Sequence, residues 1–170
     1  MAEVGTVFVI PADEQHGILG QVMAPPLGPN PDLLAAFRGV HPIQSLPRDD
    51  CLLQLLELSP LILANSSSVL MENGRWKDLG VFPIAKRNRV YPKFKLPSII
   101  PFLMSVESYD RSKSRPTLPF FARAIPRRFT ISAKLFELLA IATNGRGTWD
   151  KQFDKVLFDT MPVHHSASSV

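Results

Sequence analysis

"GTVFVIPADEQHGILGQVM" (residues 5–23) reads as two strands joined by a turn. Thr6, Phe8 and Ile10 alternate with Val7 and Val9, and all five are apolar or β-branched, which is strand material. The second run carries Gly20-Gln21-Val22 where a plain hairpin would place another apolar residue. A glycine inside a strand weakens it, so Gly20 is expected to mark a bulge or a close backbone approach. Everything downstream is read from this antiparallel pair.

Beyond the hairpin, Pro25, Pro26, Pro29 and Pro31 exclude a sheet interior. "LLAAF" (33–37) is too short to decide by period and is either a third strand or a helical turn capped by Asp32. "RDDCLLQLLELSP" (48–60) predicts a helix. Asp49 or Asp50 caps it, acids sit at the positive end of its dipole, and Ser59-Pro60 stops it. Leu52, Leu53, Leu55 and Leu56 form its apolar stripe. "LILAN" (61–65) reads as a buried strand, "SSSVLMENG" (66–74) as a turn region, and "RWKDLGVFPI" (75–84) as a further strand interrupted at Gly80 and Pro83.

Strand material returns around 102–106, followed by a surface loop over 112–119. Ile131, Leu135, Leu138, Leu139 and Ala142 then share one face of a helix, with Thr130 or Ser132 as its cap and Asn144-Gly145 as its end. Trp149, Phe153, Val156 and Leu157 share the face of a second helix. The expected fold is α+β: a curved, mostly antiparallel N-terminal sheet, small-barrel-like, with one inserted helix and a C-terminal helical pair packed on it. Residues 1–160 are expected to form one domain, sheet-rich over 4–110 and helical over 130–158, with a frayed tail at 161–170.

Composition agrees with a globular chain. Apolar residues make up 45% and charged residues 20% of 170, and sixteen prolines argue against a helix bundle. Cys51 is the single cysteine, and no basic n-region precedes an apolar run, so the expected location is the cytoplasm with no membrane partner.

No reactive constellation is read from the residues. His16 falls in the hairpin turn, His41 precedes a proline, and His164-His165 lies in the tail. Cys51 follows two aspartates, which work against a thiolate. "NGRG" (144–147) is a helix C-cap rather than a phosphate loop. No catalytic, cofactor-binding or metal-binding residue is expected, and the protein is expected not to be an enzyme.

Charge is distributed unevenly. Residues 86–128 hold eleven Lys/Arg against Glu107 and Asp110, a net +9 within a chain of net +4. Such a segment attracts an anionic partner. The rings in and just before it, Phe82, Tyr91, Phe94, Phe120 and Phe121, are read as core residues of strands with charges flanking them. The alternative is a basic small-barrel RNA- or DNA-binding module in which the rings stack on bases. Trp76 is read as a half-buried anchor.

In order along the chain stand "GTVFVIP" (5–11), "GILGQVM" (17–23), "AAF" (35–37), "LSPLILA" (58–64), "GRWKDLG" (74–80) and "PKFK" (92–95). This succession resembles the bacterial immunity proteins of polymorphic toxin systems, in the family numbered twenty-six. The resemblance falls on Gly5, Pro11, Gly20, Gln21, Val22, Gly74, Arg75, Trp76 and Gly80 as structural motif residues. It departs at Thr6 and Arg38, where many relatives carry an acid. It implies that 33–37 is a third strand, that the hairpin is scaffold, and that the protein neutralises a cognate toxin by occlusion. Charge, not the resemblance, places the contact on Lys86, Arg87, Arg89, Tyr91 and Lys93, facing an acidic patch on the toxin.

Overall fold

The computed structural model describes residues 2–26, 31–45, 50–89, 93–98, 100–109, 112–122 and 130–160. They fall into two compact units, Met1–Arg89 with Thr130–Trp149, and Val90–Phe129 with Asp150–Val170. The two C-terminal helices belong to different units.

The first unit grows from the hairpin. β1 (Thr6–Pro11) pairs antiparallel with β2 (His16–Ala24), Phe8 opposite Gly20 and Val7 opposite Gln21. Asp13 holds the turn, its Oδ1 accepting the backbone N–H groups of Gln15 and His16 at 2.8 Å each. β3 (Leu33–Ala36) adds antiparallel to β2, confirming the third strand. β5 (Ile62–Ser66) adds to β3, β10 (Thr130–Ile131) runs parallel to β5, and β6 (Lys77–Val81) lies antiparallel on the free side of β1. The order is β10-β5-β3-β2-β1-β6, with β4 (His41–Pro42) pairing with the start of β2. Strands β1 to β3 are buried on both faces, which explains why their sequences read as continuous apolar runs.

Gly20 is a close approach. A Cβ there would stand 2.4 Å from the Phe8 ring, and the strand irregularities fall instead at Val7/Phe8 and Val22/Ala24. The Phe8 ring lies over the glycine and stacks on Trp76, centroids 4.9 Å apart and planes within 9°. Trp76 is therefore fully buried, not half-buried as its sequence suggested.

The first helix, α1 (Asp50–Leu56), is shorter than its sequence signals, and of its leucine stripe Leu52 and Leu56 are buried while Leu53 is exposed. The expected turn region contains a short helix, α2 (Val69–Glu72), before Gly74 at φ +70°. α4 (Ala133–Thr143) begins where Ser132 caps it, its side chain accepting the Leu135 N–H, and ends at Asn144-Gly145. Its buried face is Ala133, Phe136, Glu137, Leu139 and Ala140, so the expected stripe was rotated: Leu138 is exposed and an acid lies inside.

In the second unit β7 (Phe94–Pro97), β8 (Met104–Glu107) and β9 (Ser114–Thr117) form an antiparallel sheet in that order. The short helix α3 (Pro119–Ala122) follows β9, and α5 (Lys151–Thr160) buries Phe153 and Val156. The region read as a loop over 112–119 is thus largely an edge strand, a position in which a proline such as Pro116 is tolerated. Phe102, read as strand, lies in the turn before β8. Phe120 and Phe121, read as core, are exposed on α3. No helix among the described residues is long and apolar enough to cross a membrane.

Candidate functional site

The basic residues singled out by charge lead to a groove on the first unit. Pro83, Ile84, Ala85, Lys86 and Arg87 line one side, and Leu53 and Leu56 of α1 with Glu57 just after it line the other, bounding about 540 Å³. Its floor is apolar, and Lys86 and Arg87 stand exposed at its rim with Glu57 opposite.

Local hydrogen bonds fix that rim. Residues Lys86–Asn88 form a single 3-10 turn, with the Asn88 N–H donated to Ala85 O at 2.8 Å. The buried Asn88 side chain donates through Nδ2 to Leu56 O at 3.0 Å and to Leu58 O at 2.9 Å. Those carbonyls belong to the end of α1, where a helix leaves acceptors unpaired. One amide therefore clamps the basic turn to the helix across the groove. Arg89 folds back, its Nε donating to Ile84 O at 3.0 Å.

Of the five residues expected at the contact, Lys86, Arg87 and Arg89 share this turn. Lys93 is exposed and belongs to the second unit, and Tyr91 lies outside the described residues. Sequence reasoning passed over Asn88. Its one signal was an uncharged amide inside the run "KRNR".

The motif residues form the frame behind the groove. Gly5 has φ +92°, and a Cβ there would meet Phe82 O at 2.6 Å. Gln21 is fully buried, its Nε2 donating to Phe82 O at 3.1 Å and to Gly5 O at 3.3 Å, so the segment leading to Pro83 is tied to the hairpin. Gly80 has φ +100°, and its N–H is donated to Asp78 Oδ1 at 2.7 Å.

Arg75 and Trp76 converge on Glu137 of α4. Arg75 Nε donates to Oε2 and Nη2 to Oε1, both at 2.7 Å; Lys134 Nζ reaches Oε1 at 2.6 Å and Trp76 Nε1 reaches Oε2 at 3.0 Å. Burial pushes the Glu137 carboxyl up, but the donors of Arg75, Lys134 and Trp76 together outweigh it and hold the group at about 2. The same bonds raise the Arg75 guanidinium above its usual range. This carboxylate is committed to joining the Arg75-Trp76 segment before β6 to α4.

The remaining titratable candidates are placed singly. His16 sits beside Asp13, 2.9 Å from Nδ1 to Oδ1; the Gln15 backbone N–H and, after it, the His16 ring lower the aspartate. Burial lowers His41, whose Nε2 has no hydrogen-bond partner among the described residues. Among the described residues, no three His, Cys, Asp or Glu stand close enough to hold a metal ion. Chemically, the arrangement offers an apolar groove with a fixed basic rim. Comparison with protein-family models, with curated proteins and with solved structures finds no match.

Proposed function

We propose that this chain is an immunity protein that binds a cognate toxin and neutralises it by occupying its surface, without bond-making or bond-breaking of its own. The observation that supports this reading is the mutual contact of the residues carrying the family resemblance. Gly20 seats Phe8, Phe8 stacks on Trp76, Trp76 and Arg75 hold α4 through Glu137, and Gln21 ties Gly5 to Phe82. Each is spent on frame. What the frame presents is the groove beside Lys86 and Arg87, whose apolar floor and cationic rim suit an acidic, partly apolar protein surface.

The test is co-expression with the toxin encoded beside it. The chain should rescue growth and co-purify with that toxin, and Lys86→Glu with Arg87→Glu should weaken the complex. Loss of neither binding nor protection in that variant would move the contact off the groove, and no rescue by the unaltered chain would end the reading. The competing nucleic-acid reading needs rings exposed among the bases; of its rings, Phe94 packs against Tyr109, centroids 6.3 Å apart and both buried, while Phe120 and Phe121 are exposed on α3. A flat titration with RNA and DNA at low salt separates the two.

A further inference from the structure

One end of the second unit is apolar and exposed. Met104 pairs with Pro97 on one side and with Thr117 on the other, so the turn 100–103 and the segment 118–121 leave the sheet at the same end. Ile100, Phe102, Leu118, Phe120 and Phe121 are all exposed there, Phe102 by 93%, Phe120 by 77% and Phe121 by 68%. The two rings of α3 meet edge to face at 5.6 Å. Phe102 also has φ +66°, a left-handed backbone that strains a bulky side chain and that glycine would adopt freely. Strain combined with near-total exposure brings no packing gain within the fold, so its return comes from outside it.

Charge selects the occupant. Val90–Phe129 carries eight Lys/Arg against Glu107 and Asp110, a net +6, which opposes pairing with a second copy and favours an anionic partner. The layering narrows this further. In a protein interface, polar groups ring the apolar centre within one plane. Here they lie behind it along the strands: Lys95 and Arg115 flank Val106, two residues or about 7 Å back from the apolar end. Lys93 and Lys113 adjoin the opposite end of the sheet, a further strand residue or more away. Apolar side chains outermost with cations several ångströms behind match the depth profile of a bilayer surface, where apolar groups enter about 5–10 Å and phosphates sit above them.

We propose that this end of the second unit docks on a phospholipid bilayer bearing anionic headgroups. Phe102, Phe120 and Phe121 enter the acyl boundary, and Lys95 and Arg115 meet the phosphates. The surface is distinct from the groove and stands whether or not the immunity reading holds. It departs from the expectation of no membrane partner, and it involves docking alone.

The experiment is flotation of the full chain with vesicles of phosphatidylcholine alone and of phosphatidylcholine mixed equally with phosphatidylglycerol. Binding to the mixed vesicles, weakened by salt and small on phosphatidylcholine, is the expected result. Phe102→Ser with Phe120→Ser should reduce it about tenfold or more, and Arg115→Gln about fivefold. Phe102→Gly serves as the folding control: it relieves the left-handed strain, so thermal stability should hold or rise while vesicle binding falls. No binding to the mixed vesicles, or binding unchanged in the phenylalanine variants, overturns the proposal; a soluble acidic protein as true occupant would give the first of these results.

Discussion

The indole N–H of Trp76 is donated to Oε2 of Glu137 at 3.0 Å, joining residues 61 apart in the chain. Trp76 lies against Phe8 on one side and Phe136 on the other, with centroids at 4.9 and 5.9 Å. The sheet, the Gly74–Trp76 segment and α4 therefore meet at one side chain, and a carboxylate buried to 1% exposure orients it.

Glu137→Ala should be among the most damaging single changes. It strands the buried indole N–H and leaves Arg75 and Lys134 without their acceptor, although both cations are half in water and recover part of their solvation. A loss of about 2–4 kcal/mol is expected, read as a lower urea midpoint with an unchanged slope. Glu137→Gln keeps an acceptor for the indole and should cost about half as much.

Acid should release the same interaction. The carboxyl is lowered from 4.5 to about 2 in the folded protein, so its contribution is complete above the unfolded value and fades as pH falls from about 4.5 through about 2. The difference in stability between wild type and Glu137→Gln should shrink across that window, by about 1–3 kcal/mol after allowance for the exposed cations. A difference that stays constant from neutral pH to pH 2 would show that the charge contributes nothing.

Gly20→Ala and Gly74→Ala should differ for a stated reason. At Gly20 the new methyl would stand 2.4 Å from the Phe8 ring and 3.0 Å from Ala35 O, so Phe8 must leave its stack on Trp76. A loss of about 1–3 kcal/mol and a changed near-ultraviolet dichroism of the tryptophans are expected. At Gly74 nothing lies within 4 Å and only the positive φ resists, so the loss should be about 1 kcal/mol with the tryptophan signal preserved.

Reading from sequence succeeded where the determining chemistry is local. The hairpin, the Ser132 cap and the left-handed Gly145 are set by neighbours within a few residues. It failed where the deciding contact is distant. The α4 stripe was rotated because an acid at 137 looks like a solvent-facing residue until Arg75 and Trp76 are known to reach it. Phe120-Phe121 looked like core because its chain neighbours are apolar, and adjacency in sequence does not say what packs. The strand over Ser114–Thr117 has no apolar alternation because it is a largely exposed edge. At the groove, Lys86 and Arg87 were legible as charge. Asn88 was not, since a lone amide among cations reveals nothing of the carbonyls of Leu56 and Leu58 that it serves.

That amide supplies a test of how the groove works. Asn88→Ala removes the donors from one buried and one part-buried carbonyl and should cost about 1–2 kcal/mol. It leaves both cations in place, yet frees the turn that carries them from α1. Lys86→Glu with Arg87→Glu does the reverse: it reverses the rim charge on exposed side chains and should move stability by less than about 0.5 kcal/mol. If a partner is held by a pre-positioned rim, both variants bind it more weakly by different routes. The charge reversal should lower the association rate and its salt dependence, while the loss of the clamp should act chiefly on dissociation, because the ordering of a loosened turn is then taken from the binding energy. Equal association rates for wild type and the charge reversal would show that the rim plays no part in steering.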